Sequence, residues 1–510
     1  MKQNRTPLLD TLLKHSKKKV ISFHTPGHKN GRGIDRRLKN FIGKNFFTLD
    51  VTVFPEVDSL HHPRGCIKAA QELMADAYEV KRSFLLINGS SAGNMAMILA
   101  SLNPGDSVIV SRNTHKSVLS GIILAGVWPI WIQPRIDQEL DIILNSSPEQ
   151  IEKALTDFPE AKAVFLTSPT YNGVVTDLKR IAETVHSRDK ILLVDEAHGA
   201  HLKFHPRMPL SAASAGADLV VQSIHKTLGA ISQGSVLHYN SALVDVKRLE
   251  KVVSLLQSTS PCYPILASLD TARHQMVTHG RKLLGKVIRA AQYARRKLRD
   301  QEKLFCFREN DLPKGYRLDP TKLTVNVTRL GLSGFEASEI LTKKYNIQVD
   351  CADLFNLIAI MGIGSHQKDA QKLVDSLSDM EEKYSGYSKN WELKLPSLST
   401  EMVFTPRDVL LSFANKKIPL RKAAGFISAE TLCPYPPGIP VLIPGERITH
   451  EIRDYLLDLD SRRIHIAGQE GRRLKYIKVV DTQRRLQLSL IHISEPTRPL
   501  YISYAVFCLK

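Results

Sequence analysis

Three lysines in this sequence directly follow a histidine, and each could supply a nucleophilic amine. They are Lys29, Lys116 and Lys226. A lysine that is partly desolvated and lies beside a phosphate can lose its proton and form a Schiff base with a carbonyl group. The residue types do not choose among the three, because an isolated lysine is usually a solvated surface side chain.

Asp195 and three histidines are candidates for electrostatic stabilisation and proton transfer. Asp195 directly follows an apolar run, where a carboxylate is costly to bury unless it meets a cation or strong donors. A protonated heteroaromatic nitrogen would meet that need, and so would ordinary backbone amides. His115, His198 and His201 could stack on a planar ring or transfer protons, or serve as hydrogen-bonded structural residues.

Ser90 and Ser91 precede a predicted helix that begins near Ala92. Free amides at a helix N-terminus, together with two hydroxyls, make a natural cradle for a phosphate. Serine is also a common N-cap, and taken alone that is the simpler interpretation.

These polar clusters stand at the ends of apolar runs that recur between residues 80 and 240. The runs lack the alternation of a half-buried strand, which is typical of strands buried on both faces of a parallel sheet. Helical spacing separates them, and alternating strands and helices predict an α/β fold with a doubly wound sheet. Ligands bind such sheets beyond the carboxyl ends of the strands. The runs are 84–87, 108–110, 163–166, 191–194 and 219–221.

Composition supports an ordinary globular protein. The chain has 510 residues, 43% of them hydrophobic and 24% charged, which suggests about two to four domains. The mean hydropathy of −0.15 argues against a membrane-embedded protein. The long apolar stretch from Val118 to Ile132 is broken by Ser120, Gly121 and Pro129, so it predicts a buried helix followed by a strand.

Charge, cysteines and motifs narrow the functional class further. The net charge is +19, but the basic residues are spread along the chain, which favours solvated surface charge over a nucleic-acid patch. The six cysteines form no CxxC pairs, so they predict neither disulfides nor a metal site and fit a reducing compartment. The first residues lack the apolar h-region of a signal peptide, which favours the cytoplasm. The HExxH, GxGxxG and GxxxxGKS/T motifs of zincins, dinucleotide-binding proteins and P-loop proteins are absent, so those three classes lack support.

We expect several units along the chain. An N-terminal segment covers residues 1–20, and the unit with the predicted sheet covers 21–290. A smaller α/β unit covers 291–385, with candidate strands at 325–327 and 357–360 and a helix at 335–344. A polar linker at 384–399 leads to a C-terminal unit at 400–481 with a Pro-rich loop. Residues 488–510 resemble the translation of a sequencing-adapter oligonucleotide, so we expect them to be non-native and exclude them from the fold.

Taken together, the motifs resemble those of the Orn/Lys/Arg decarboxylases, and most closely the shorter bacterial forms that act on arginine or lysine. The resemblance extends from about residue 6 to residue 481. The matching segments, in chain order, are HTPGHKNG at 24–31, DSLHHPRG at 58–65, NGSSAGN at 88–94, RNTHKS at 112–117, SPTYNG at 168–173, DEAHGAH at 195–201, SIHKT at 223–227, TSPCY at 259–263, PYPPGIP at 434–440 and PGE at 444–446.

The resemblance implies a pyridoxal 5'-phosphate enzyme of fold type I, with a mostly parallel sheet in the large domain, a small α/β domain and a C-terminal α+β domain. It places the Schiff-base lysine at Lys226, the partner of the pyridine nitrogen at Asp195 and the ring-stacking histidine at His115. His198 would lie near the phenolic oxygen of the cofactor. The phosphate contacts would be Ser90, Ser91, Ser223 and His225, with Thr259 and Ser260 reaching the phosphate of a neighbouring subunit.

The implied reaction is decarboxylation of a basic amino acid in the cytoplasm, as a step of polyamine biosynthesis. Arginine is the expected substrate, with lysine or ornithine as alternatives, and the active unit is a homodimer or larger. Candidate donors of a proton to Cα are Lys226, His225 and a nearby cysteine, with the role of Cys433 left open. Asp58 and Glu446 could accept a basic side chain, but the sequence does not set either against a guanidinium.

Two other functions remain to be weighed. An aminotransferase would share the fold but would return a keto acid instead of releasing carbon dioxide. A basic binding protein without catalysis would be expected to have lost the cofactor residues, whereas Lys226, Asp195 and His115 are all present.

Overall fold

The computed structural model describes residues 2–18, 20–137, 139–140, 142–384, 396, 400–434, 440–462, 464, 466–471 and 473–485. The predicted adapter-like tail, most of the predicted linker and the centre of the Pro-rich loop lie outside the described residues.

The large unit alternates helices and strands, as the apolar runs predict. Its helices are α1 (Pro7–Ser16), α2 (Arg36–Ile42), α3 (Lys44–Leu49), α4 (Cys66–Tyr78), α5 (Gly89–Ser101), α6 (Lys116–Ala125), α7 (Pro148–Asp157), α8 (Leu178–His186), α9 (Ile224–Thr227), α10 (Val246–Leu255) and the first part of α11 (Tyr263–Arg299). Its strands are β1 (Arg82–Leu86), β2 (Ser107–Ser111), β3 (Trp128–Ile132), β4 (Ile136–Asp137), β5 (Ile142–Ile143), β6 (Ala163–Thr167), β7 (Val174–Thr176), β8 (Ile191–Asp195), β9 (Leu219–Gln222) and β10 (Ser235–Tyr239).

Two smaller units follow. The first contains β11 (Phe305–Cys306), β12 (Tyr316–Leu318), β13 (Lys322–Asn326), α12 (Gly334–Tyr345), β14 (Cys351–Ala352), β15 (Asn356–Ile360) and α13 (Gln367–Tyr384). The second contains α14 (Pro406–Leu411), β16 (Phe413–Pro419), β17 (Cys433–Pro434), α15 (His450–Ser461), β18 (Ile466–Ala467) and β19 (Tyr476–Arg485). The predicted strand at 325–327 is shifted, because β13 ends at Asn326.

A seven-stranded sheet in the order β1-β10-β9-β8-β6-β2-β3 forms the centre of the large unit. The five strands from β9 to β3 run parallel, and β6 is buried along its whole length. The prediction of a mostly parallel sheet is confirmed. The sequence pattern did not reveal that β10 is antiparallel to both β9 and β1.

Helix α5 lies unusually close to the sheet. A Cβ added at Gly93 would lie 2.4 Å from Cγ2 of Val221 and 2.9 Å from Cδ1 of Leu86. Only a residue without a side chain permits this approach. The close contact brings the N-terminal turn of α5 to the edge of the sheet where the parallel strands end.

Helix α11 joins the two predicted α/β units, since its 37 residues cross position 290. Its first half packs in a core cluster with α1 and α4, through side chains such as Leu266 and Leu269. Its second half, including Ala291 and Leu298, packs with the four-stranded sheet β11-β13-β15-β14. One helix therefore contributes to both cores.

The N-terminal segment is built into the large unit. Leu8 and Leu12 of α1 are fully buried, and the amide of Leu8 donates to Oδ2 of Asp270 in α11 at 3.0 Å. Arg273 pairs with the same Asp270 at 2.8 Å and donates to the main chain of the segment at Gln3. None of the helices in the described ranges combines the length and apolar character needed to cross a membrane.

A buried ion pair connects the C-terminal unit to the sheet. The guanidinium of Arg112, at the end of β2, donates through both terminal nitrogens to the carboxylate of Glu446, and both side chains are at most 1% exposed. Arg112 also donates to the carbonyls of Pro440 and Val441, and it lies 5.1 Å from the ring centre of Trp131. Arg112 itself stands three residues before His115, the N-cap of α6.

Candidate active site at the carboxyl edge of the sheet

Asp195 is the last residue of β8 and is held by donors from two elements. The amide of Ala197 donates to Oδ1 at 3.0 Å, and Nδ2 of Asn94 in α5 donates to Oδ2 at 2.7 Å. The side chain is 2% exposed. Its carboxylate therefore has a fixed orientation in a site from which water is largely excluded, where it would interact strongly with a cation.

Asn94 connects Asp195 to the predicted stacking histidine. The Nδ2 group of Asn94 also donates to Oγ of Ser117 at 2.9 Å, and that hydroxyl lies 2.8 Å from Nδ1 of His115. His115 is the N-cap of α6, where Nδ1 accepts from the amide of Ser117. The helix start thus fixes the plane of the imidazole ring. Burial lowers the pKa of His115, an effect opposed by Asp195 and reinforced by Lys226.

The predicted phosphate contacts lie where α5 and α9 begin. Oγ of Ser223 donates to Oγ of Ser90 at 2.9 Å, and Ser90 lies in the first turn of α5 with Ser91 beside it. Gly89 has a φ of +74°, and a Cβ placed there would meet no atom within 4 Å. Open space, free helix amides and two hydroxyls are the elements of a phosphate cradle.

The predicted Schiff-base lysine contacts a histidine that contacts a second lysine. Nζ of Lys226 lies 3.0 Å from Nε2 of His198, and Nζ of Lys322 lies 2.8 Å from Nδ1 of the same ring. Lys322 begins β13 of the small unit and is 1% exposed. Burial lowers the pKa of Lys226, while burial and the adjacent positive charges lower the pKa of His198 well below its usual value.

The sequence reasoning missed Lys322. It follows Asp319-Pro320-Thr321, which looks like a turn that leads into a strand, and it belongs to no histidine–lysine pair. Burial lowers its pKa to about 8, although Asp350 and Asp319 oppose that change. No signal in the sequence marks it, because a lysine at the start of a short strand is usually exposed.

His201 pairs with Asp319, which is one of the charged neighbours of Lys322. Its Nε2 atom lies 3.0 Å from Oδ2 of Asp319, and both side chains are at most 1% exposed. Although burial alone would raise it, His201 and the hydroxyl and amide of Thr321 lower the pKa of Asp319 to about 2. Asp319 is therefore an acidic neighbour of the buried Lys322 side chain.

The cysteines differ in their neighbours. Burial and Asp350 raise the pKa of Cys351 to about 12, while Lys322 and Lys226 oppose the change. Burial raises the pKa of Cys433 to about 11, and its charged neighbours are Arg112 and Lys116 instead. Of these two cysteines, Cys351 is therefore the one whose charged neighbours include Lys226 and Lys322.

Of the remaining predicted site residues, His225 lies beside Lys226, whereas Thr259 and Ser260 lie in an exposed segment. His225 is half-buried next to Lys226, and its Nδ1 atom lies 2.9 Å from the carbonyl oxygen of Gly234. Burial lowers its pKa. Thr259 and Ser260 are exposed in the segment between α10 and α11, and their predicted role toward a neighbouring subunit stays a prediction.

Both carboxylates that could have received a basic substrate already have partners. Glu446 pairs with Arg112 as described. Asp58 accepts from the amides of Gly65 at 2.7 Å and Ile67 at 3.0 Å at the start of α4. Each of the two is used to hold the fold together.

The polar atoms at this edge fit pyridoxal phosphate. A buried carboxylate suits a protonated ring nitrogen, the serine pair and helix amides suit a phosphate, and Lys226 offers an amine within hydrogen-bond distance of a histidine. The hydroxyls of Thr114, Thr167 and Ser168, at the ends of β2 and β6, are buried without a protein partner. Such unpaired groups are rare unless a ligand or water satisfies them.

Comparison with known proteins agrees with this arrangement. The chain matches the major domain of the Orn/Lys/Arg decarboxylases over residues 6–369 and their C-terminal domain over residues 393–471. It is 40% identical to an arginine decarboxylase of Bacillus subtilis (strain 168) over 493 residues, covering 96% of this chain and 100% of that protein. It is 38% identical to an arginine decarboxylase of Halalkalibacterium halodurans, covering 94% and 98%.

The fold is shared with a solved enzyme. The crystal structure of a lysine decarboxylase from Francisella novicida superposes with a TM-score of 0.80 at 26% identity, covering 93% of this chain and 81% of that one. The predicted fold class and the predicted decarboxylase activity are confirmed. This chain belongs to the Orn/Lys/Arg decarboxylase family.

Proposed function

We propose that this protein uses pyridoxal 5'-phosphate to convert L-arginine to agmatine and carbon dioxide, in the cytoplasm and as a step of polyamine biosynthesis. One observation supports the cofactor above all. The buried carboxylate of Asp195 is joined by hydrogen bonds through Asn94 and Ser117 to His115, at the same sheet edge as Lys226.

The cofactor, when bound, supplies an aromatic ring that takes up the electron pair left on Cα as the bond to the carboxylate breaks. Asp195 would hold a proton on the ring nitrogen, which makes the ring a better electron acceptor. His115 would support one face of the ring. Ser90, Ser91, Ser223 and His225 would hold the phosphate, and Lys226 would hold the cofactor through its amine.

The chain must also return a proton to Cα after carbon dioxide leaves. Lys226 and His225 are the candidates at the site, and Cys351 is the cysteine with Lys226 among its charged neighbours. Because its raised pKa keeps the Cys351 thiol protonated at neutral pH, the thiol has a proton to give.

Arginine is favoured by the relatives. The proteins named arginine decarboxylase are 37–40% identical to this chain, whereas a lysine decarboxylase of Hafnia alvei is 25% identical. Lysine and ornithine remain the alternative substrates, with cadaverine and putrescine as products.

We further propose a homodimer as the smallest active unit. Thr259 and Ser260 are exposed in their own chain, as expected for residues that serve a partner. Phe23 and Phe41 are 93% and 91% exposed, so both large apolar side chains are available to pack against a partner chain. Light scattering should give at least twice the chain mass.

The decisive experiment joins a spectrum to a product assay. The purified protein, supplied with the cofactor, should absorb in the visible range and release carbon dioxide from one of arginine, lysine and ornithine. Lys226→Ala should lose the protein-bound absorption and at least about 1000-fold of the activity, about 4 kcal/mol of transition-state stabilisation.

Other results would change the conclusion. A coloured protein that forms a keto acid without carbon dioxide would be an aminotransferase. A protein that stays colourless with added cofactor would overturn the proposal. An unchanged Lys226→Ala spectrum would remove the assignment of that lysine.

A further inference from the structure

The segment between α10 and α11 carries two exposed hydroxyl residues on an anchored main chain. Gln257 is buried against β1, where its Oε1 atom accepts from the amide of Ile87 at 2.9 Å and its Nε2 atom donates to the carbonyl of Leu85 at 3.3 Å. Thr259 and Ser260 follow and are exposed. Within the described ranges neither of their hydroxyls has a hydrogen-bond partner, so both are available to a ligand outside their own chain.

His61 holds the main chain directly before Thr259. Its Nε2 atom lies 2.9 Å from the carbonyl oxygen of Ser258, and its Nδ1 atom lies 2.6 Å from Oγ of Ser254 in the last turn of α10. A carbonyl oxygen can only accept, so Nε2 must carry a proton, and in the neutral ring Nδ1 accepts from the hydroxyl of Ser254. The ring therefore joins the end of α10 to the exposed segment through two hydrogen bonds.

The loop that carries His61 is itself fixed. Asp58 has a φ of +68°, which is uncommon for a residue with a side chain. Its carboxylate accepts from amides at both ends of the loop, at 2.8 Å from Ser59 and 2.7 Å from Gly65. Its carbonyl accepts at 2.7 Å from the hydroxyl of Tyr263, the first residue of α11. His61 thus stands on a loop that is tied to the helix directly after the exposed segment.

Holding the carbonyl of Ser258 also orients the amide that follows it. In a trans peptide the C=O and N–H groups are coplanar and point in opposite directions. Since the carbonyl of Ser258 points at His61, the N–H of Thr259 points away from that ring. The turn is compact, because the amide of Ser260 donates to Oγ of Ser258 at 3.1 Å. The segment therefore offers an oriented amide and two exposed hydroxyls, a set of donors that suits a phosphate.

We propose that His61 is a positioning residue for a phosphate site that Thr259 and Ser260 complete in a neighbouring subunit. It acts through the carbonyl of Ser258 and fixes the segment before the phosphate binds. A segment that is already ordered loses little conformational freedom on binding, which raises the affinity. The inference rests on the proposed function, in which pyridoxal phosphate binds at Lys226 and the smallest active unit is a homodimer.

The first measurement is the affinity for pyridoxal phosphate. Full-length protein stripped of cofactor is titrated with pyridoxal phosphate, and the protein-bound absorption gives the Kd. His61→Leu has a similar volume but loses both hydrogen bonds, and the Kd should rise about tenfold. Carbon dioxide release at saturating cofactor should stay within about threefold of wild type, because His61 does not touch the reacting atoms. An unchanged Kd would overturn the inference.

Two control variants separate the hydrogen bond to Ser258 from a general effect on the loop. His61→Gln keeps a side-chain N–H donor for that carbonyl and should give a Kd within about threefold of wild type. His62→Leu makes the same change at the adjacent exposed histidine and should leave the Kd unchanged. A Kd that rises equally in His61→Leu and His62→Leu would show that the loop matters and the hydrogen bond does not.

A second variant covers the case in which His61→Leu does not fold, which thermal unfolding reveals. Ser254→Ala removes only the hydrogen bond to Nδ1 and leaves the ring in place. It should raise the Kd about threefold, since one of the two bonds that orient the ring is lost. A wild-type Kd in Ser254→Ala would overturn the inference.

Mixed dimers show whether His61 serves its own site or that of its partner. Subunits with two different affinity tags are produced together, one with Lys226→Ala and the other with His61→Leu. The one remaining Lys226 is then served by the segment of the other subunit, in which His61 is intact. The mixed dimer should bind one cofactor with wild-type affinity. An affinity as weak as that of the His61→Leu homodimer would overturn the inference.

Amide hydrogen exchange follows the segment without cofactor. In stripped protein, peptides that cover residues 256–260 should exchange faster in His61→Leu than in wild type, whereas peptides from α15 should not change. Equal exchange of the segment in the two proteins would contradict a positioning role for His61.

Failure of the proposed function and failure of this inference give different results. If wild-type protein is a monomer, or does not bind pyridoxal phosphate at Lys226, the proposed function fails, and amide exchange still decides whether His61 holds the segment. If wild-type protein binds the cofactor as a dimer but His61→Leu has the same Kd, the inference fails and the proposed function stands.

Discussion

The carboxylate of Asp195 is held at both oxygens, since one accepts from the amide of Ala197 in its own loop and the other from Nδ2 of Asn94 in α5. Asp195→Asn retains the shape but removes the charge that would keep a ring nitrogen protonated. We expect carbon dioxide release to fall at least about 1000-fold, about 4 kcal/mol, with a melting temperature within a few degrees of wild type.

The matched control is Asp177→Asn at the exposed N-cap of α8, which should keep full activity. Product formation by Asp195→Asn within tenfold of the wild-type rate would show that the charge is not needed.

Glu196, the residue after Asp195, makes folding stability depend on pH. Burial raises the pKa of its carboxyl to about 8, opposed by hydrogen bonds from the amide of Ala212 and the side chain of Gln222. Because the folded state holds this proton more tightly, the stabilisation is complete below about pH 4.5 and is lost as the pH rises through about 8.

Glu196→Gln removes this titration. Between pH 5.5 and pH 8, the wild-type free energy of unfolding should therefore fall relative to the variant by at least about 1 kcal/mol. Urea unfolding at both pH values measures the difference, with the exposed Glu160→Gln as control. If the free energy of unfolding changes equally between the two pH values in wild type and in Glu196→Gln, the raised pKa of Glu196 is refuted.

At the scale of residues, the sequence identifies candidate site residues where a reactive polar side chain follows an apolar run. Asp195, His115 and Lys226 were predicted because each stands near a strand end or within a motif. Lys322 was not, because its partner His198 lies 124 residues away along the chain. Burial of a lysine by a distant element leaves no local pattern.

At the scale of elements, the buried pair of Arg112 and Glu446 fixes the C-terminal unit against the end of β2. Removing one partner leaves a buried charge without compensation, which typically costs about 3–5 kcal/mol. We expect Arg112→Met and Glu446→Leu each to lower the free energy of unfolding by about that amount in denaturant titrations.

A double variant with two apolar residues, Arg112→Met with Glu446→Leu, should cost less than the sum of the two single changes. Glu401→Gln, which breaks the exposed pair with Arg447, should change stability by less than about 1 kcal/mol. Additive costs at Arg112 and Glu446 would mean that the two side chains do not stabilise each other.

The elements themselves were largely predictable. The apolar runs correspond to β1, β2, β6, β8 and β9, and the stretch from Val118 to Ile132 forms most of α6 and then β3. The strand order and the antiparallel edge were not predictable, because hydrophobicity reports burial and not which neighbour a strand pairs with.

At the scale of the whole molecule, the extent of the native chain can be tested. The last described strand, β19, pairs with β16 as far as Arg485, four residues beyond the end that we predicted for the C-terminal unit. A chain that stops after residue 487 keeps this strand and removes the adapter-like residues.

We expect that shortened chain to melt within about 2 °C of the full one, since a change of 1 kcal/mol in a large protein shifts the midpoint by only a few degrees. A chain that stops after residue 481 is the matched comparison and should be less stable. A marked loss on removing residues 488–510 alone would show that they are part of the native fold.

Helix α11 has a consequence for how the molecule comes apart. At about 1.5 Å per residue, its 37 residues form a rod of about 55 Å whose two halves are buried in different cores. Neither core can melt without exposing its half of the rod, and fraying one half weakens the other. Heating should therefore give a single cooperative heat-absorption peak for the large and small units together, and the amides at the middle of the rod should exchange with solvent only when both units open.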